Sequence, residues 1–193
     1  MCEINKDEWR DFKSEKEKNT LKPIGVIHTP FKQLEKVPSQ AYMSDKEGEI
    51  EVFPEYVSAL KGVEDFTHIT VLFLFHKADG YCLQVNRCMD GKKHGLFVTR
   101  APYRPNPIGL TTVRLLRVKG NRLRVRGLDM LDGTPLLDIK PFVPRFDNQK
   151  DANMGWFKEP MDNMEYLLWQ EKVFRLIERF TGVKIKRKEI KPP

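Results

Sequence analysis

Between residues 24 and 139 the chain is a succession of short apolar runs, each closed off by Gly, Pro, Asn or Asp. The runs at 24–29, 48–53, 67–75, 95–99, 110–118, 123–128 and 136–139 are rich in β-branched or large apolar side chains, which suit a pleated, half-buried strand. Many short strands with turn signals between them predict a mainly β fold, a barrel or a sandwich. The chain has 193 residues, the size of one domain, and 40% apolar residues with twelve Phe, five Tyr and three Trp, enough for a buried core.

One hairpin is explicit. Lys119-Gly120-Asn121-Arg122 carries turn chemistry between two runs that alternate apolar with basic residues. In Arg122-Leu123-Arg124-Val125-Arg126 the arginines share one face, about 6.7 Å apart on a strand, a spacing that a phosphate backbone could follow. Helical patterns are few. Residues 54–61 begin with Pro54 and stop before Gly62, the usual asymmetry of a short helix. Residues 164–180 place Tyr166, Trp169, Val173, Leu176, Ile177 and Phe180 at helical spacing, a packing stripe. The expected organisation is a charged, loosely ordered or short helical arm over 1–21, the β domain over 22–147, a C-terminal helical extension over 148–182 and a basic tail over 183–193.

Charge enters the argument through its placement. The net charge is +7, and from Arg100 to Arg126 eight basic residues occur with no Asp or Glu, a local positive field of the kind that meets nucleic acid. Lys184, Lys186 and Arg187 extend a second basic run at the end of the chain. No run of eighteen apolar residues occurs and the start is charged, so a soluble, cytoplasmic protein without a membrane span is expected. Cys2, Cys82 and Cys88 form no CxxC pair, and no metal site is expected. P-loop, GxGxxG and GxSxG signatures are missing, which argues against the common nucleotide and hydrolase folds.

Two segments carry chemistry. In Thr99-Arg100-Ala101-Pro102-Tyr103-Arg104-Pro105-Asn106-Pro107-Ile108-Gly109-Leu110, three prolines stiffen a loop that leads into a strand. Arg100, Arg104 and Asn106 on such a loop offer fixed donors to a carboxylate or phosphate. In the second segment, residues 128–141, Asp132-Gly133 is a turn signal. Asp129 and Asp138 sit among apolar residues expected to be strand, where a carboxylate requires a donor. His76 emerges at the end of a central strand beside Lys77.

These segments, with Ile24-Gly25-Val26-Ile27-His28-Thr29-Pro30-Phe31 and Phe73-Leu74-Phe75-His76, resemble the TrmO (TsaA-like) family over roughly residues 22–147. The resemblance implies a single small β-barrel of non-Rossmann type with a few peripheral helices and a C-terminal helix. It also implies S-adenosylmethionine as cofactor, a homodimer with cofactor near the subunit interface, and tRNA as partner. The implied reaction methylates N6 of threonylcarbamoyl-adenosine 3′ of the anticodon. The cofactor residues it implies are Gln40, Ala41, Tyr42, His76, Lys77, Arg100, Leu110, Arg126, Gly127, Leu128 and Asp129. Many relatives have Arg-Gln-Pro-Gly where this chain has Ser39-Gln40-Ala41-Tyr42, and the segment beyond Asp147 matches least. Asp129, Asp132, Tyr103 and His76 are the candidates to take a proton from the target nitrogen. Arg104, Asn106, Arg122, Arg124, Lys184, Lys186 and Arg187 are the expected RNA contacts. The rival readings are a sensor or scaffold barrel that holds S-adenosylmethionine or a nucleotide, and a methyltransferase acting on another RNA or a small molecule.

Overall fold

The computed structural model describes residues 9–11, 21–86 and 90–163. Contacts divide the chain into two units, residues 1–86 with 93–148 and residues 87–92 with 149–193. The described residues form ten strands: β1 (Trp9–Asp11), β2 (Gly25–His28), β3 (Glu47–Val52), β4 (His68–Leu74), β5 (Gly80–Cys82), β6 (Gln84–Asn86), β7 (Lys93–Gly95), β8 (Ile108–Lys119), β9 (Arg122–Arg126) and β10 (Thr134–Pro141).

Six strands close a barrel in the order β10-β2-β3-β9-β8-β4, every pair antiparallel. Closure leaves this sheet without an unpaired edge. Strict alternation supplies the core. Ile69, Val71 and Phe73 of β4 point inward and are buried, and they meet Ile27, Ile50, Val52, Val113, Leu123, Val125 and Leu136 from the other five strands. Leu128 and Met130, just beyond β9, complete the packing. Two bulges interrupt the ladder, between Leu115 and Arg117 on β8 and between Leu136 and Asp138 on β10.

Six of the seven expected strands are present with shifted ends. The exception is 95–99: Leu96–Val98 is a 3₁₀ turn, with Leu96 buried and Phe97 and Val98 exposed. The Thr99 hydroxyl donates to the Leu96 carbonyl at 2.8 Å and closes that turn, an option a lone apolar run does not reveal. Residues 54–61 form a 3₁₀ helix, Pro54–Leu60, followed by Gly62 at φ 84°. In the arm expected to be loose or helical, Trp9–Asp11 is extended and pairs with β5. The expected helix over 164–180 and the tail residues Lys184, Lys186 and Arg187 lie outside the described residues. In the second unit, Gly155–Phe157 is a 3₁₀ turn with the Trp156 and Phe157 rings stacked at 4.0 Å.

Candidate active site

One rim of the barrel opens into a cleft of about 470 Å³, inside the range of small-ligand sites. Its floor is where β4 ends and β8 begins, with Phe73 and Phe75 against Ile108, Gly109 and Leu110. The close fit requires Gly109: a Cβ there would lie 2.3 Å from the Phe73 ring. The walls come from residues 37–40, from His76 and Lys77, from the proline loop and from residues 129–131.

The proline loop is held by main-chain bonds. Cys82 N–H donates to the Tyr103 carbonyl at 3.3 Å, Phe75 N–H to Pro107 at 2.7 Å, and Ile108 N–H to Asn106 at 2.7 Å. Arg104 is braced by a 3.1 Å bond to the Thr99 carbonyl and lies 5.7 Å from the centre of the exposed Phe97 ring. Arg100 reaches across the cleft and donates to Gln40 Oε1 at 3.4 Å. Among the described residues neither guanidinium forms an ion pair, although the charge of Arg100 is felt by the Asp129 carboxyl in the same cleft.

Asp129 does not lie in a strand as expected: β9 ends at Arg126, Gly127 turns at φ 91°, and Asp129 follows in irregular chain. Its Oδ1 is buried with no hydrogen-bond partner among the described residues. Burial pushes its pKa up, against the lowering pull of the Thr111 hydroxyl, its own and the Ala41 backbone, and the Arg100 charge. His76 lines the same cleft. Burial, and then the neighbouring Lys77, lower its pKa, which favours the neutral imidazole. The Thr134 hydroxyl donates to the Leu131 carbonyl at 2.7 Å and lies 3.5 Å from His76 Nδ1.

Of the four proton-acceptor candidates, the cleft brings together Asp129, Tyr103 and His76. Asp132 lies outside it: it accepts Thr29 N–H at 2.9 Å, pairs with Lys32, and shapes the turn at Gly133. Burial acts to raise its pKa, but Lys32, the Thr29 amide and His28 outweigh it and hold the carboxyl below its ordinary value. Asp138, expected among apolar strand neighbours, sits beside the β10 bulge, half-exposed, paired with Lys140 at 2.8 Å. The bulge turns it outward, which single-residue alternation conceals.

Of the expected cofactor residues, Gln40, His76, Lys77, Arg100, Leu110 and Asp129 line the cleft. Ala41 and Gly127 stand behind Asp129, Leu128 is core, Tyr42 is exposed outside the lining, and Arg126 is engaged elsewhere. Arg104 lines the cleft, and Asn106 turns the loop through its carbonyl. Phe73, Thr134, Val37 and Pro38 also line it; Phe73 and Thr134 lie inside the family-like segments, but apolar and hydroxyl side chains give no chemical reason to expect them as site residues.

The positive field expected over 100–126 is partly cancelled by β3, which lies beside β9. Arg122 donates to Glu49 at 2.9 Å and to Glu51 at 3.0 Å, Arg124 pairs with Glu47 at 2.8 Å, and Arg126 pairs with the other Glu47 oxygen. His28 adds a contact to Glu51 at 2.9 Å. Arg122 and Arg124 are thus not the bare row the sequence presents. Among the described residues no group of His, Cys, Asp or Glu is arranged to hold a metal ion, and no helix is long and apolar enough to cross a membrane.

A closed antiparallel barrel with a cleft of cations, one orphaned carboxylate oxygen and an aromatic floor defines a small-ligand-binding barrel. The chain belongs to the TrmO family: residues 26–148 match the model of the tRNA-methyltransferase O N-terminal domain. It is 51% identical over 145 residues to a probable S-adenosyl-L-methionine-binding protein of Pyrococcus abyssi, covering 75% of this chain and 79% of that protein. It is 42% identical to the tRNA (adenine(37)-N6)-methyltransferase of Mus musculus over 52% of this chain and 24% of the mouse protein. The crystal structure of TrmO from Pseudomonas aeruginosa superposes with a TM-score of 0.62 at 40% identity, over 73% of this chain and 63% of that one. This chain therefore spans under two thirds of that solved chain.

Proposed function

We propose that this protein transfers a methyl group from S-adenosylmethionine to N6 of threonylcarbamoyl-adenosine beside the anticodon of tRNA. The observation that carries the reading is the orphaned Asp129 oxygen in a cleft that also holds Lys77, Arg100 and Arg104. A buried acceptor without a donor is costly until a ligand supplies one. S-adenosylmethionine carries the matching groups: ammonium, ribose hydroxyl and adenine amine donors for Asp129, and a carboxylate for Arg100 or Lys77. When bound, it supplies an electrophilic methyl whose leaving group is a neutral thioether. The residues then have to orient, exclude water and hold a proton. Gln40 and Arg100 close over the cleft, the proline loop fixes Arg104 beside the acceptor, and Phe73 with Phe75 keeps the floor dry. The His76 imidazole, the Asp129 carboxyl and the Tyr103 hydroxyl are the groups at the cleft that can take the N6 proton.

The same reading makes the protein a cytoplasmic homodimer with the cofactor near the subunit interface. The test is mass spectrometry of nucleosides from tRNA lacking the modification, incubated with protein and methyl-labelled S-adenosylmethionine, with and without prior threonylcarbamoylation. A methylated threonylcarbamoyl-adenosine that depends on the precursor is expected; cofactor binding without any labelled nucleoside overturns the reading. A second reading, a barrel that binds the cofactor without transferring its methyl, is favoured by the binding-protein name of the Pyrococcus relative. Turnover separates the two.

A further inference from the structure

Strand β8 faces β9 with like charges directly opposite at three places: Arg114 with Arg126, Arg117 with Arg124, and Lys119 with Arg122. Such pairs are unfavourable in a sheet unless something compensates. The carboxylates of β3 compensate one side. Glu47, Glu49 and Glu51 hold the three β9 arginines, but no carboxylate among the described residues pairs with Arg114, Arg117 or Lys119. Three rows of the outer face thus read carboxylate, cation, cation, and the surplus charge stands in one column on β8.

The column is built by the bulge. Arg114 and Arg117 are three residues apart and in regular pleat would point to opposite faces; the extra residue between Leu115 and Arg117 brings both outward with Lys119, and all three are exposed. The same strand begins at the cleft, whose lining includes Leu110. From Lys119 to Leu110 the strand runs about 30 Å, so the column leads from the hairpin toward the reacting pocket.

We propose that Arg114, Arg117 and Lys119 form a track for the RNA phosphate backbone that delivers the target nucleotide to the cleft. This rests on the RNA reading of the cleft and assigns phosphate contact to β8, in place of the glutamate-bound arginines of β9. Guanidiniums match phosphate oxygens in paired geometry, and a linear column of cations without an ion pair among the described residues, set on a rigid strand, costs little ordering when a polyanion binds.

The test is tRNA affinity measured against salt concentration for the parent, for Arg114→Gln/Arg117→Gln/Lys119→Gln, and for Arg122→Gln/Glu51→Gln, which removes no net charge. The triple variant is expected to lower the slope of log affinity on log salt by about two to three, since each phosphate-bound cation contributes roughly 0.7–0.9. The neutral pair variant should keep the parent slope. Restoring charge with Arg114→Lys/Arg117→Lys should recover most of the slope, and unchanged S-adenosylmethionine binding reports an intact fold. If the triple variant keeps the parent slope while the parent methylates tRNA, the track is wrong and the function stands. If the slope falls but no methylated nucleoside forms, the track stands and the acceptor is wrong. A parent that binds no RNA overturns both.

Discussion

Arg122, Arg124 and Arg126 each end on a carboxylate of β3, whereas Arg100 and Arg104, earlier in the same basic run, end on a side-chain amide and a backbone carbonyl. Both sets look identical in sequence. In the ladder the charge is answered by glutamates more than seventy residues away in the chain, and the arginines serve mainly to align strands. At the cleft neutral acceptors position both guanidiniums, with no ion pair among the described residues, so geometry is fixed with less of the charge consumed, although Asp129 feels the charge of Arg100. A density of basic residues is therefore no measure of the potential a ligand meets; what matters is whether the partner that orients each cation also neutralises it.

The largest break in that comparison should come from Arg100→Ala. Loss of a charged donor at the cleft is expected to lower kcat/KM about 10–100-fold, from roughly 1.5–3 kcal/mol of charge-assisted bonding. Arg100→Lys should rescue it poorly, because a point charge cannot reproduce the planar fork. Steady-state kinetics with S-adenosylmethionine varied would decide; an unchanged value would move Arg100 out of the site.

Next in size, Asp129→Asn should weaken cofactor binding yet stabilise the empty protein at neutral pH by about 1 kcal/mol, since it removes a poorly satisfied buried charge. The sign follows from the raised pKa. The native state holds this proton more tightly than the unfolded chain, so stability falls as pH rises from the ordinary carboxylate range to the raised native value and then stays low. The Asn variant should lose that part of the pH dependence in thermal melts. A variant less stable than the parent at pH 7 would mean that the Thr111 and Ala41 contacts outweigh burial.

The smallest effect belongs to the ladder. Glu47→Gln should leave cofactor binding unchanged and lower Tm only slightly, with the difference shrinking in high salt because Arg124 and Arg126 are exposed and Glu47 only half-buried. Hydrogen bonds from Arg126 and then Arg124 hold the Glu47 carboxyl below its ordinary value. Its contribution is therefore present above that ordinary value and lost as pH falls through the lowered one. Melts at low and high salt would show a contrast; a large, salt-independent loss would make the ladder more than an aligner.

What the sequence revealed follows physical lines. Alternation exposed the barrel strands, because inward residues such as Ile69, Val71 and Phe73 must recur at every second position. It could not expose β5, β6 and β7, three residues each, which are too short for a period. Asp129 was visible as a carboxylate among apolar neighbours, and its burial bears that out, although the chain there is irregular. Asp138 looked the same and is a surface ion pair, because a bulge is written in backbone geometry rather than residue type. The carboxylates that answer β9 were in plain view, but only the β3–β9 register shows which arginine each one meets.

The Phe73 ring lies where any side chain at position 109 would have to go. Phe73 belongs both to the barrel's core and to the cleft floor that it shares with Gly109, so the two positions are expected to change together over evolutionary time. A lineage that enlarges residue 109 has to move or shrink residue 73, and one that trims residue 73 opens a hole beneath the cleft. The history of the pocket is in this way tied to that of the hydrophobic interior, and paired substitution at these two sites is the trace such a constraint should leave among descendants.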